Sequence, residues 1–385
     1  LIFDLETYIA NPVVLTGPFL VSFIAGVSAF PAYIKWLKQK QLGQFLREEG
    51  PASHAHKAKT PTMGGICFMA VTVILLAISG VLIHRAGSAL SAWALFVAVL
   101  CGLIGLSDDL SKLKSKSNEG LSARTRLRLE AILGAGFGTL GFALLRHSSQ
   151  TLPAMLLPQQ IAFSLFQHVH VFAPGKVGIP LDLPVFVVLS TFLICATTNA
   201  INLHDGMDGL AGGTGLIVLA TMGTMLWFTG QYELAWLAFV ACGSIAAFLA
   251  FNRNPAKVFM GDTGSLFLGG LLATLTLAGG LLFWFVPLSL IFIVETLSVI
   301  MQVSYYKITK PYTPEKPMKS GALVLYKLTN KLPGEGKRIF RMAPLHHHFE
   351  AVFAEKGVKE WQVVAGFWVI QLILSGLTLA AFFVF

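Results

Sequence analysis

The sequence predicts an all-α polytopic membrane protein of about ten transmembrane helices, with both termini on the periplasmic side. Three observations predict it. Only 12% of the 385 residues are charged and 55% are hydrophobic, whereas a soluble domain carries about 25% charged residues. The apolar residues come in long runs, of the length at which a helix crosses lipid. The basic residues are confined to alternate loops, as the positive-inside bias requires. Helices satisfy every backbone N–H and C=O internally, which the bilayer core demands. The short alternating strands of a membrane barrel are not seen in the chain.

The spans follow in order. Val13–Ile34 is apolar up to Lys35. Gly64–Ile83 begins after Thr60-Pro61-Thr62-Met63, and Ala89–Leu106 ends at Ser107-Asp108-Asp109. Leu129–Leu145 lies between Arg128 and Arg146. Leu183–Thr198 is short and runs into Asn199. Leu210–Phe228 starts after an Asp-Gly pair, and Leu234–Phe251 stops at Asn252. Leu266–Leu282 follows Gly261-Asp262-Thr263-Gly264-Ser265. Phe285–Val303 and Val363–Phe385 complete the set.

The loops at 35–63, 107–128, 199–209, 252–265 and 304–362 hold all but three of the 28 Lys and Arg residues; Arg85, Arg146 and Lys176 are the exceptions. That asymmetry places these five loops in the cytoplasm. It also accounts for the net charge of +9 without nucleic acid as a partner. The outer segment 146–182, with Pro174-Gly175 as its turn, is expected to form a hairpin on the outer surface. Cys67, Cys101, Cys195 and Cys242 all sit in apolar runs and make no C-x-x-C pair, so neither a disulfide framework nor a zinc motif is indicated. No cleavable signal peptide is expected, because the first apolar run leads into more membrane. Residues 1–385 read as a single integral membrane domain.

Every unusual polar residue falls on the cytoplasmic side, although only Lys and Arg set the topology. Asp108-Asp109 is a carboxylate pair at a helix end, where a cation or a proton must relieve the repulsion; a metal or phosphate site and a solvated helix terminus are the two readings. Asn199, Asn202, Asp205 and Asp208 recur every three residues, a polar stripe if helical, with Gly206 and Gly209 interrupting it. Amides and carboxylates together suit a nucleotide or a sugar, and a capped turn is the alternative. In Gly261-Asp262-Thr263-Gly264-Ser265, glycines and a helix N-terminus favour a phosphate, whereas Asp262 suits Mg²⁺, an oxygen-seeking ion; a plain N-cap is the alternative. His346-His347-His348 lacks the ligand spacing of a zinc site and fits a phosphate contact or a surface cluster. Lys57 and Lys59 become pyrophosphate clamps beside such a site.

Taken in order, these motifs resemble the phospho-N-acetylmuramoyl-pentapeptide-transferase family, and the resemblance runs across almost the whole chain. It rests on Lys57 to Gly65, Asp108-Asp109, Asn199 to Leu210 (NAINLHDGMDGL), Phe251-Asn252 with Pro255 to Ser265, Glu295 to Gln302, and Arg338 to Glu350 (RIFRMAPLHHHFE). His204 and Met207 depart from the commoner pattern, and the stretch from Tyr305 to Lys337 is longer than in many members. The resemblance implies a ten-helix enzyme of the bacterial inner membrane, usually a homodimer, that requires Mg²⁺. It implies transfer of phospho-MurNAc-pentapeptide from UDP-MurNAc-pentapeptide to undecaprenyl phosphate, giving lipid I and UMP. It places Asp262 on the metal and Lys57, Asp108, Asp109, Asn202, Asp205, Asn252, His346 and His347 around the active site. Thr62, Asn199 and Gln302 join them as candidate substrate contacts within the matching motifs. Catalysis is then expected from Asp108, Asp109, Asp262 and His346, with either Asp108 or Asp109 as base toward the lipid phosphate. Two rivals are a related transferase moving N-acetylglucosamine phosphate and a secondary transporter, for which Glu295 is the main midplane candidate.

Overall fold

The computed structural model describes residues 16–40, 60–83, 89–115, 120–149, 154–158, 170–173, 176–312 and 319–384. Each predicted span has a helix. These are α1 (Thr16–Gln39), α2 (Gly64–Ile83), α3 (Ala89–Ser115), α4 (Ala123–Ser149), α5 (Leu183–His204), α6 (Leu210–Phe228), α7 (Tyr232–Asn252) and α8 (Gly261–Ala278). Then come the short α9 (Leu282–Leu288), α10 (Leu290–Ile308), α11 (Ser320–Thr329), α12 (Leu345–Ala354) and α13 (Glu360–Val384). Eight of them are long and apolar enough to cross a membrane, and the chain is a multi-pass membrane protein.

Two predicted outlines are corrected. The ninth span begins later than Phe285, because α9 carries Pro287 and stops at Leu288 before α10 starts at Leu290. Proline lacks the N–H of a helix interior and crowds the preceding turn. The segment 146–182 holds more than a hairpin: β1 (Ala154–Pro158), β2 (His170–Ala173) and β3 (Lys176–Pro180) form an antiparallel sheet in the order β1-β3-β2. Ala154 pairs with Pro180 and Pro158 with Lys176, while His170 pairs with Gly178. The Pro174-Gly175 turn lies outside the described residues.

Helix α8 is the axis of the bundle. From Thr263 to Ala278 every residue is buried, as expected for a helix that is apolar on all sides. It packs on α3, α5 and α2. Glycines bring the backbones close: a Cβ on Gly105 would lie 2.1 Å from the carbonyl oxygen of Asp262, and one on Gly65 would lie 2.2 Å from the Cα of Gly264. A side chain at either position would push the helices apart. Because Gly105 touches the start of α8, the residues one turn further along α3, Asp108 and Asp109, reach the α8 N-terminus.

Three helices run past their apolar windows. Helix α3 continues from Leu106 to Ser115, α4 begins six residues before Leu129, and α5 continues from Thr198 to His204. These polar extra turns carry most of the site.

Candidate active site

The core of the site is a charged network where α3, α4, α5 and α8 meet. Asp262, in the first turn of α8, accepts a hydrogen bond from Asn202 Nδ2 at 2.8 Å on Oδ1 and one from Lys112 Nζ at 2.7 Å on Oδ2. The same ammonium lies 2.6 Å from Asp108 Oδ2, one helical turn back on α3. The other oxygen of Asp108 accepts the backbone N–H of Leu121 at 2.6 Å. Arg126, on the extra turn of α4, spreads its fork over two amides. Its Nη2 donates to Asn199 Oδ1 at 2.9 Å and its Nη1 to Asn202 Oδ1 at 3.2 Å. That Nη1 is also 3.8 Å from Asp262 Oδ2. Asn199 in turn donates to the buried Glu130 at 2.6 Å. Lys112, Arg126 and Glu130 were missed in the sequence, where two of them counted only as topology charges.

Asp109 does something different. Its Oδ1 accepts the N–H of Asp262 at 3.1 Å, and its Oδ2 accepts the N–H and the hydroxyl of Thr263 at 3.0 and 2.7 Å. It therefore caps α8 from a neighbouring helix, satisfying N–H groups that the first turn leaves open. Negative charge is also favoured at that end of a helix. Gly261, with φ of 73°, turns the chain into α8 beneath this cap. Thr62 is at the same corner: a Cβ on Gly261 would meet Asp109 Oδ2 at 2.9 Å and Thr62 Oγ1 at 3.0 Å. The segment 61–65 is tied there by Phe259 N–H to Pro61 O, Gly64 N–H to Phe259 O and Gly65 N–H to Met260 O. Lys57 lies outside the described residues.

The Asn–Asp stripe divides. Asn199 and Asn202 ride on α5, and Asp205 follows its last residue. Asp205 is half-buried. Burial, then the negative charges of Asp262, Asp109 and Asp208, push its carboxyl up to about 8. Asp208 instead turns away and accepts hydrogen bonds from Ala256 N–H and Asn254 at 3.0 and 3.2 Å. Asn252 is a staple of the same loop. It accepts the N–H of Gly209 and donates to Val258 O, both at 2.9 Å. Its amide thus holds the backbone of this loop.

The histidines approach from α12. Glu295 Oε1 accepts the backbone N–H of His346 at 3.1 Å, and Oε2 lies 3.2 Å from its Nδ1. His347 Nδ1 is 3.1 Å from Glu350. A Cβ on Gly206 would lie 2.2 Å from His346 Nε2 and 2.9 Å from His347 Nε2, so both rings converge on the turn after Asp205. Burial pulls the His346 imidazole below its usual pKa, and Glu295 opposes that shift. His348 instead accepts the N–H of Arg341 at 3.2 Å. Gln302 likewise serves the backbone: its carbonyl accepts the N–H groups of Ile339 and Phe340 at 2.9 and 3.0 Å, and its amide donates to Phe340 O. It positions the strap that leads to α12.

The sequence has close relatives among characterised families. A family model described as glycosyl transferase family 4 matches residues 91–280. The phospho-N-acetylmuramoyl-pentapeptide-transferase of Trichormus variabilis is 40% identical over 366 residues, covering 95% of this chain and 86% of that protein. The protein of the same name from Anoxybacillus flavithermus is 36% identical over 361 residues, 92% of this chain and 94% of its own. That from Enterococcus faecalis is 34% identical over 362 residues, 94% and 96% respectively. This chain belongs to the phospho-N-acetylmuramoyl-pentapeptide-transferase family.

As a member of that family the chain is expected to use a metal, and its acidic network can be tested for fit. Asp108 and Asp262 aim carboxylate oxygens at a single cation, the Lys112 ammonium, at 2.6 and 2.7 Å. Two carboxylates that share one positive charge offer the oxygen ligands that a hard divalent cation takes. In donor type, Asp108 and Asp262 suit such a cation.

Proposed function

We propose that this chain transfers phospho-MurNAc-pentapeptide from UDP-MurNAc-pentapeptide to undecaprenyl phosphate, releasing UMP and forming lipid I. The observation that carries the reading is the convergence of Lys112, Arg126, Asp108 and Asp262 beside two asparagines. Such a site meets a diphosphate and a metal with matched charges.

An oxygen of the lipid phosphate attacks the sugar-side phosphorus of the UDP-sugar. The bond from that phosphorus to the bridging oxygen breaks, and UMP leaves with the electron pair. In phosphoryl transfer the protein mainly positions the groups and stabilises charge. Lys112 and Arg126 hold the diphosphate oxygens, and Arg126 aligns Asn199 and Asn202 for the nucleotide-sugar. Asp262, with Asp108 beside it, would hold Mg²⁺, which when bound supplies charge neutralisation to the diphosphate. Either Asp108 or Asp109 takes the role of base toward the lipid phosphate. A phosphate monoester is already largely ionised at neutral pH, so that role adds little to the rate. His346 and His347 offer ring nitrogens to the substrate from the Gly206 side, and Lys57 belongs to the phosphate-binding set on the strength of its motif.

The basic-loop asymmetry supports a site open to the cytoplasm with both termini periplasmic, in the bacterial inner membrane. A homodimer is part of the same proposal, and light scattering in detergent tests it. The acidic network argues against the secondary-transporter alternative, because Glu295 holds His346 and the other carboxylates gather at helix ends.

Asp262→Asn is expected to abolish Mg²⁺-dependent lipid I formation while the protein stays monodisperse in detergent. Near-normal lipid I formation by that variant would refute the metal assignment.

A further inference from the structure

Behind the histidines lies a cluster that joins His346 to two residues given no part in the transfer, His204 and Glu295. His204, the last residue of α5, is fully buried, and neither ring nitrogen has a hydrogen-bond partner. Its Nδ1 faces Glu295 Oε1 of α10 at 3.9 Å. On the other side of that carboxylate is His346 of α12, with Nδ1 at 3.2 Å from Oε2. Glu295 and His346 are as deeply buried as His204. One ligand atom from each of the three residues lies within 4.8 Å of the others. Three separate helices thus deliver two imidazoles and one carboxylate to one point.

A buried polar atom without a partner is costly and rare. Here the unsatisfied Nδ1 of His204 points at a carboxylate from beyond hydrogen-bond distance. At 3.9 Å the gap is too wide for a hydrogen bond and slightly wider than the spacing of two ligands on one tetrahedral ion. Around a tetrahedral ion with bonds of about 2.0–2.2 Å, neighbouring ligand atoms stand about 3.3–3.5 Å apart. The rings of Phe292 and Phe367 pack edge-on against His204, at 5.2 and 5.8 Å between centroids. They close the cluster with apolar walls and fix the imidazole plane. The alternative is a Glu295–His346 hydrogen bond with His204 as a packed neutral ring; it leaves both His204 nitrogens unsatisfied.

We propose that His204, Glu295 and His346 bind a divalent transition-metal ion of the zinc class, at a site distinct from the oxygen-only site at Asp262. Imidazole nitrogens suit Zn²⁺ and its neighbours, whereas Mg²⁺ takes oxygen ligands. The site links the end of α5 to α10 and α12 and so locks the histidine strap onto the bundle. It also sets a tautomer. With Nδ1 on the metal, the neutral His346 ring carries its proton on Nε2 and presents a donor toward Gly206. With Glu295 alone on Nδ1–H, Nε2 is an acceptor. This inference does not depend on the transfer reaction.

The test uses the full chain, purified in detergent with a tag free of histidine, stripped with chelator and re-equilibrated with Zn²⁺ in excess Mg²⁺. Elemental analysis is expected to find about one Zn²⁺ per chain. His204→Thr and Glu295→Gln are expected to lose it, and His348→Ala to keep it. Co²⁺ loaded in place of Zn²⁺ should give visible absorption of a nitrogen–oxygen site in the wild type, a readout that needs no variant to fold. Failure of the wild type to retain Zn²⁺, or equal retention by well-folded His204→Thr, overturns the proposal.

Discussion

The Nζ of Lys112 lies 2.7 Å from Asp262 Oδ2, although 150 residues separate the two in the chain. Lys112 belongs to the extra turns of α3 and Asp262 to the first turn of α8. Lys112 thereby bridges two carboxylates, Asp108 and Asp262. Lys112→Met removes that counter-charge and one diphosphate contact. Transfer is expected to fall by about 10²-fold or more, the usual scale for losing one preorganised charge partner. UMP release at saturating substrate measures it, and a rate within about twofold of wild type would deny Lys112 its place.

Asp109→Ala should act on stability before chemistry. The variant leaves the N–H groups of Asp262 and Thr263 and the Thr263 hydroxyl without their acceptor. Unsatisfied buried donors cost about 1–3 kcal/mol, so the thermal midpoint in detergent should drop, with Asp109→Asn intermediate. An Asp109→Asn protein of unchanged midpoint and no transfer would return Asp109 to the catalytic set.

The helical frame was largely legible in the sequence, because apolar run length and Lys/Arg placement respond directly to the bilayer. Pro287 marks where reading by hydropathy alone ran through a break. The site was legible in part. Asp108, Asn202 and Asp262 stood out as polar residues at helix mouths, and they do meet. Lys112 and Arg126 did not stand out, since a cation in an inner loop looks the same whether it faces water or a carboxylate. Only the tertiary approach of α3 and α4 to α8 separates the two cases. Asp109, Asn252 and Gln302 also hold backbone groups, which motif spacing does not reveal. His204 was visible only as a departure from the family pattern.

Asp205 should make stability pH-dependent in a recognisable direction. Its folded-state carboxyl is raised to about 8, above the unfolded value of about 3.9. Between those values the folded state holds a proton that the unfolded state has lost, so stability falls as pH rises through this window. Asp205→Asn removes the effect. In EDTA, the variant is expected to be more stable than wild type at pH 8 and closer to it at pH 5, by thermal unfolding. An equal difference at the two values would place the carboxyl in an ordinary environment.

Arg126→Lys tests the fork. A lysine keeps the charge near Asp262 but cannot donate in parallel to Asn199 and Asn202. Affinity for the nucleotide-sugar is expected to weaken by about tenfold, the scale of one lost charge-assisted hydrogen bond, and KM should rise more than kcat falls. An unchanged KM would mean that the two amides do not meet this substrate.

The most direct measurement is UMP release by the purified chain, with and without undecaprenyl phosphate, supplied in turn with UDP-MurNAc-pentapeptide and with UDP-N-acetylglucosamine. The expected result is Mg²⁺- and lipid-dependent release from the muramoyl substrate and none from the other. Release from UDP-N-acetylglucosamine alone, or no UMP from either sugar, would contradict the proposed function.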